Sequence, residues 1–506
     1  MSAVEHDAGG DGNSFARVST GIEGLDDILH GGLPEHGVYL LRGGAGVGKT
    51  TLALQFLLDG VARGERCLFV NLYQPTRMLE RMAWSHGWSL DGISVRAISP
   101  HEALEQMRSK QDVFVPDEVE LVDIAARVRA LVEEVQPQRF VFDSLSFMEI
   151  LATVPGRFEQ ELFTLVELFD RLDVTAIFTS YERGSNTEMV ADGIIDLAHV
   201  VSPHGVRYSR LTVSKVRGSD FLGGEQDYQI VKGGLIVYPR MTPNEEPRPA
   251  PDVDFTDDLA TGSTELDEIV GGGLSAGTSC LLVGPSGVGK TTLATHYAYA
   301  ALQRGTKVLF YLFEELERTF LARSAALGMD LRPHIENDLL RVIQVERPSI
   351  LPGEFATVLR SGIGWGAQLV IVDSLSGYYQ AMQSEPLLLT QLRDVVRFMN
   401  HRGVISILTL AHAMMPESGS VFPIDISETV DVKIVMQFFE GPDGLHKALT
   451  VVKRRDGRHD TRIHELKITS EGIDVVELHG AVGLVARHIV SGRRAASTDD
   501  DVAPTG

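Results

Sequence analysis

The pattern G-x-x-x-x-G-K-[ST] occurs twice in this chain, at residues 43–50 (GGAGVGKT) and 284–291 (GPSGVGKT). A loop of this kind works only between a strand and a helix. Its backbone N–H groups form a concave nest for phosphates, the Lys reaches the outer phosphates, and the Ser/Thr hydroxyl faces Mg²⁺. Both copies have those flanks. Val38-Tyr39-Leu40-Leu41 and Cys280-Leu281-Leu282-Val283 read as buried strands. Thr51-Leu52-Ala53-Leu54-Gln55-Phe56-Leu57 and Thr292-Leu293-Ala294-Thr295-His296-Tyr297 read as helices whose N-termini point at the loop. Two nucleotide sites per chain follow, and the binding set begins with Gly43, Gly46, Val47, Gly48, Lys49 and Thr50 in one copy and Gly284, Gly287, Val288, Gly289, Lys290 and Thr291 in the other.

The duplication extends beyond the loops. Ser19-Thr20-Gly21-Ile22-Glu23-Gly24-Leu25-Asp26 returns as Ala260-Thr261-Gly262-Ser263-Thr264-Glu265-Leu266-Asp267, and each is followed by a Gly-Gly pair. Phe140-Val141-Phe142-Asp143-Ser144 matches Val370-Ile371-Val372-Asp373-Ser374, an apolar run ending in the carboxylate that a Mg-nucleotide site requires. Asp143 and Asp373 are therefore expected at the metal. The fold expected is α/β: two tandem P-loop domains, each with a mainly parallel central sheet flanked by helices. Their expected limits are 16–240 and 260–490. A Pro- and acid-rich linker spans 241–259, and 1–15 and 491–506 read as disordered ends.

With 46 basic and 69 acidic residues the net charge is −23, which disfavours nucleic-acid and anionic-membrane partners. The sequence has no run of 18 apolar residues, so a cytoplasmic protein is expected. Cys67 and Cys280 read as small buried hydrophobes.

The two copies differ where chemistry is decided. Val308-Leu309-Phe310-Tyr311-Leu312-Phe313 runs into Glu314 and Glu315, whereas Cys67-Leu68-Phe69-Val70-Asn71-Leu72 runs into Tyr73 and Gln74. A carboxylate at that strand end can orient an attacking oxygen and take its proton, so Glu314 is the candidate general base, with Glu315, Lys290 and Asp373 completing the catalytic set. Tyr73 and Gln74 cannot accept a proton near neutral pH. The first copy is expected to bind ATP and turn it over slowly, unless Glu182 reaches it. Later in each copy stand Lys215 with Arg217 and Lys453 with Arg455, basic residues two apart on a strand and suited to a neighbouring subunit's γ-phosphate.

Taken together, the S/A-T-G-x-x-x-L-D openings, the F-E-E strand end, the D-S-L-S element and the K-x-R-G strands resemble the KaiC circadian-clock ATPases of the RecA superfamily over roughly residues 15–490. The resemblance implies RecA-like domains in a double-ring homohexamer, ATP and Mg²⁺ between subunits, slow ATPase activity, and Ser/Thr autokinase activity in the second ring. It also implies KaiB-like or two-component signalling partners. Carried over by position, it adds Thr51, Ser85, Lys215, Val216, Arg217 and Ser219 to the first nucleotide site. To the second it adds Thr292, Lys447, Lys453, Arg454, Arg455, Gly457 and His459. The residues of Lys215 through Ser219 and Lys447 through His459 would come from the next subunit. Thr50, Thr291, Glu314 and Asp373 match metal positions, Ser427 the phosphoacceptor, and Leu327 a family Trp beside the adenine. Glu428 stands where a second acceptor would be, and Thr429 is the alternative acceptor. A non-kinase ATP-dependent scaffold and a DNA-acting RecA-type ATPase are the competing readings.

Overall fold

The computed structural model describes residues 16–72, 75–98, 116–152, 156–181, 187–201, 207–241, 258–345, 350–381, 388–411, 426–441, 444–469 and 472–478. The chain divides into two compact units, Met1–Arg240 and Met241–Gly506.

The first unit carries β1 (Arg17–Val18), β2 (Leu33–Pro34), β3 (Val38–Gly43), β4 (Cys67–Asn71), β5 (Ile93–Ala97), β6 (Arg139–Asp143), β7 (Thr175–Ser180), β8 (Gly193–Val201), β9 (Arg207–Val216), β10 (Glu225–Val231) and β11 (Gly234–Tyr238). β1 and β2 pair with each other, and the rest form a 9-stranded sheet in the order β11-β10-β9-β8-β3-β7-β6-β4-β5. The second unit carries β12 (Ser279–Gly284), β13 (Val308–Leu312), β14 (Leu340–Gln344), β15 (Leu369–Asp373), β16 (Ile405–Ala411), β17 (Val432–Gly441), β18 (Gly444–Arg454), β19 (His464–Thr469) and β20 (Gly472–Glu477). Its 9-stranded sheet runs β14-β13-β15-β16-β12-β17-β18-β19-β20. Each sheet is parallel from β5 to β8, or β14 to β17, and antiparallel beyond.

The apolar runs make parallel strands because they are covered on both faces. Successive residues of β3 and β6 alternate between two cores. Tyr39, Leu41 and Val141 pack beneath Leu52, Phe56 and Leu57 of helix Lys49–Ala62. Leu40, Phe140 and Phe142 pack beneath Phe158, Leu162, Leu165 and Phe169 of helix Arg157–Arg171. The second unit repeats this, with Cys280 and Leu282 under helix Lys290–Gln303 and Leu281 and Val370 under helix Leu388–His401. The repeated opening is a local staple: Thr20 Oγ1 donates to Asp26 Oδ1 at 2.7 Å, and Thr261 Oγ1 donates to Asp267 Oδ1 at 2.8 Å.

Met241 and Leu259, the ends of the expected linker, are both buried in the second unit, Met241 against Leu281 and Leu259 across from Leu274. Residues 242–257 between them, like both expected disordered ends, lie outside the described residues. Both cysteines are buried thiols, pushed up to about 11 (Cys67) and about 12 (Cys280) by burial. Among the described residues no helix is long and apolar enough to cross a membrane.

Candidate nucleotide sites

Each loop leaves the C-terminal end of its central strand and enters the helix through a glycine in the left-handed region, Gly48 at φ 99° and Gly289 at φ 113°. The loop's first glycine is fixed by crowding instead. A Cβ on Gly43 would lie 2.2 Å from Leu197 O, and one on Gly284 would lie 2.4 Å from Met436 O. Lys49 Nζ donates to Gly43 O (2.6 Å) and Gly44 O (2.8 Å), and Lys290 Nζ to Gly284 O (2.8 Å) and Pro285 O (2.9 Å). Burial lowers the pKa of both ammonium groups. Asp143 pulls Lys49 back up, and Asp373 and Glu314 do the same for Lys290.

The two strand-end aspartates stand beside the loops. Thr50 Oγ1 donates to Asp143 Oδ2 at 2.8 Å, and Thr179 Oγ1 to Asp143 Oδ1 at 2.5 Å. In the second unit Thr409 Oγ1 donates to Asp373 Oδ1 at 2.5 Å. A hydroxyl and a carboxylate side by side are the hard oxygen ligands that fit Mg²⁺, which keeps several waters and leans on phosphate oxygens. Among the described residues no group of three or more His, Cys, Asp or Glu is placed to hold a metal ion.

In the second unit these groups share one cavity of about 570 Å³. Lys290, Thr291, Glu314, Glu315 and Asp373 line it, and Lys447 of the same chain joins them. Glu315 is ion-paired with Arg323 at 2.7 Å. Burial raises its pKa, Arg323 opposes that, and Asp373 adds to it. Glu314 lies against the helix Leu375–Ala381 at Gly377, where a Cβ would come within 2.6 Å of Phe313 Cβ and 3.0 Å of Glu314 Cγ. Gly377 thus makes the room in which the acidic strand end sits. The first unit has Phe147 at the matching place, packed against the core.

A smaller cavity of about 120 Å³ shares Thr292, Leu327 and Ile468 with the large one and adds His296, Tyr299 and Met329. Leu327, Met329 and Ile468 give it an apolar wall, with Tyr299 the aromatic ring beside it. Burial lowers the His296 pKa. The corresponding side chain of the first unit, Gln55, is tied to the backbone of Leu235 by two bonds, 2.7 and 3.2 Å, beside a cavity of about 470 Å³ that also includes Trp88.

In the first unit β4 holds the register of β13: Leu72 N donates to Asp143 O at 3.1 Å as Phe313 N does to Asp373 O at 2.9 Å. The next residues, Tyr73 and Gln74, and also Glu182, lie outside the described residues. His199 Nε2 stands 3.2 Å from Gly46 O, a loop neighbour that no motif announced. Val47 is buried, its carbonyl accepting from Tyr228 Oη at 2.6 Å, and Val288 is buried likewise. Thr51 and Thr292 are buried on the first helical turn. Ser85 is on helix Thr76–His86, where its Oγ donates to Met82 O at 2.7 Å.

The remaining basic residues sit at the other end of the sheet. β18 runs antiparallel to β17, so Lys447, opposite Phe438, is near the loop, whereas Arg454, opposite Val432, is at the starting edge of the parallel strands. Six residues of strand put Lys453 roughly 20 Å from Lys447. There Lys453 Nζ donates to Ser427 O and Val430 O, both at 2.6 Å, and Arg455 Nη2 to Glu428 O at 2.5 Å. The first unit repeats the pattern. Lys215 Nζ donates to Glu188 O (2.9 Å) and Ala191 O (2.6 Å), and Arg217 Nη2 to Met189 O (2.8 Å), with Val216 buried between them. Arg454 is turned inward: its side chain is 3% exposed and donates to Val270 O, Gly273 O and Asp456 of its own chain. Ser219 Oγ accepts from Arg17 Nη2 at 2.7 Å, Gly457 lies against Arg454, and His459 is half-buried.

Comparison with known proteins agrees with this geometry. A family model described as "ATPase: KaiC" matches residues 18–242 and again 259–480. The circadian clock protein KaiC3 of Synechocystis is 25% identical, covering 92% of this chain and 92% of its own. The circadian clock oscillator proteins KaiC of Thermostichus vulcanus and Synechococcus elongatus are 25% and 24% identical, each covering 91% of this chain and 89% of its own. Two mostly parallel sheets, each with a phosphate-binding loop and a strand-end aspartate, and a family match across both place this chain in the KaiC family of tandem P-loop ATPases.

Proposed function

We propose that the second unit hydrolyses ATP and transfers its γ-phosphoryl group to Ser427 of a neighbouring copy, while the first unit binds ATP chiefly to hold a cytoplasmic homohexamer together. One observation carries this reading: Ser427, Lys453 and Arg455 gather at the sheet edge opposite their own chain's loop. An acceptor and cations so placed meet a nucleotide only in another copy.

In that arrangement Thr291 and Asp373 would hold Mg²⁺, which would neutralise phosphate charge when bound, and Lys290 leaves its loop carbonyls for the phosphates. Lys453 and Arg455 reach the γ-phosphate from the neighbour, with His459 at the margin. Glu314 takes the proton of the attacking Ser427 hydroxyl; the bond from Ser427 Oγ to phosphorus forms as the β–γ bridge breaks, and ADP leaves. In the first unit Thr50 and Asp143 hold the metal, with Lys215 and Arg217 as the neighbour's cations. Glu188 stands there where Ser427 stands in the second unit, so the first unit has no hydroxyl at that place to become a phosphoserine. Partners of the KaiB or two-component type are consistent with the family.

The test is peptide mapping by mass spectrometry after incubation with Mg-ATP, on the wild type and on hexamers mixing Lys290→Ala with Ser427→Ala subunits. Phosphate on Ser427 of the Lys290→Ala subunits is expected. A wild type without phosphate on the Ser427–Thr429 turn favours a scaffold that uses ATP for assembly alone.

A further inference from the structure

Ser427 is held by a cation that the catalytic account leaves unused. Lys433 Nζ, near the start of β17, donates to Ser427 Oγ at 2.9 Å. The same turn receives Lys453 on its carbonyls and Arg455 on Glu428 O, so three cations converge on residues 427–430. The acidic groups facing them are the exposed Glu428 and Asp431. Asp431 lies 3.8 Å from Arg455 and is also bonded by Ser279 and Asn400. Burial first, and then the charges of Arg455 and Lys433, hold the Lys453 pKa down, with Asp431 and Glu428 opposing them.

The first unit shows what this place in the fold accommodates. Matched through the lysine that caps each turn, Glu188 is the counterpart of Ser427, and its carboxylate is ion-paired with Arg42 of β3. The partner changes with the residue. Where the first unit has Arg42 on the central strand and Ile194 on the next, the second has Val283 and Lys433. In both units, then, residue 188 or 427 meets a cation donated by the sheet, but in the second unit that cation meets a hydroxyl.

We infer that Lys433 is the positioning residue for the acceptor: it holds Ser427 Oγ by a lone pair, leaving the hydroxyl proton to the base, and then binds the phosphoserine as Arg42 binds Glu188. The inference rests on the phosphotransfer reading above. A phosphoserine carries about −1.5 to −2 charges and strong acceptor oxygens, which suits an ammonium already in place. Loss of a charged hydrogen bond to the attacking atom costs on the order of 10- to 100-fold in rate.

The experiment is a time course of Ser427 phosphorylation, read by intact-peptide mass spectrometry, in wild type, Lys433→Met and Lys433→Arg. Lys433→Met is expected to slow phosphoserine formation on the order of 10- to 100-fold, and Lys433→Arg to recover most of it. Beside it, ³¹P NMR titration of the phosphorylated wild type, folded and then in urea, needs no variant. The second ionisation is expected to fall below its ordinary value of about 6 in the folded protein and return in urea. Equal rates in wild type and Lys433→Met, or an unshifted phosphoserine in the folded protein, overturn the role given to Lys433. A wild type that acquires no phosphate on Ser427 instead overturns the phosphotransfer reading beneath it.

Discussion

Gly377 is the least obvious requirement of the second site and the one most open to a quantitative test. In Gly377→Ala the new methyl would stand 2.6 Å from Phe313 Cβ and 3.0 Å from Glu314 Cγ. Carbon atoms rest at about 3.5–4.0 Å, so the strand end carrying Glu314 has to retreat by about 1 Å. Two terms oppose each other in stability. Alanine in place of a helical glycine gains about 0.5–1 kcal/mol, and overpacking costs about 1–3 kcal/mol. The net change is a loss of about 0–2.5 kcal/mol, too small to unfold the unit. Activity is more sensitive, because a 1 Å displacement of a catalytic group costs about 10²-fold. Steady-state phosphate release from Mg-ATP, measured with the melting temperature, separates the two effects. Gly364→Ala is the control: it lies at the end of the helix Pro352–Gly364 with nothing near its would-be Cβ, and gains about 0.5–1 kcal/mol. If Gly377→Ala melts like the wild type and hydrolyses ATP as fast, the acidic strand end does not depend on that space and the reasoning fails.

Two further outcomes follow from charged groups away from the second site's chemistry. Arg42 and Asp196 form a buried pair 2.8 Å apart in the first unit, where the second has Val283 beside Val435. Arg42→Val alone leaves the Asp196 carboxylate buried without its cation, with Ser214 still bonded to it, and is expected to cost about 3–5 kcal/mol in chemical denaturation, whereas Arg42→Val with Asp196→Val recovers most of it. The Arg462 side chain holds Asp460 at about 2, below its unfolded value of about 3.9. A depressed carboxyl stabilises above the unfolded pKa and loses that contribution as pH falls through the folded one. Denaturation midpoints of wild type and Asp460→Asn should therefore differ above about pH 4 and converge toward pH 2; a gap that persists at pH 2 refutes the assignment.

Much of this architecture was legible in the sequence because it is local and repeated. The loop glycines, the apolar strand before them and the helix after them are contiguous, so short-range pattern places Lys49 and Lys290 at the helix starts and Asp143 and Asp373 at the strand ends where the structure has them. What escaped depends on contacts between distant segments. Gly377 reads as an ordinary helix residue until Phe313 and Glu314 are packed on it. Arg454 joins Lys453 and Arg455 in the nucleotide set through family likeness, whereas in the structure it is turned inward onto Val270 and Gly273. Lys433 lies six residues from Ser427 near the start of a mainly apolar strand, and only the turn between them brings ammonium and hydroxyl together. Lys447 was assigned through family likeness to a neighbour's nucleotide, and in the structure it also lines the cavity of its own chain.

The division of labour proposed for the two units rests most directly on Glu314, and steady-state ATP turnover by Glu314→Gln tests it. General-base loss costs about 10²–10⁴-fold at the site affected. With the second unit the main catalyst, the variant's overall rate should collapse to the slow residue contributed by the first, while ATP-dependent assembly persists. A Glu314→Gln protein that keeps most of its turnover would contradict the account.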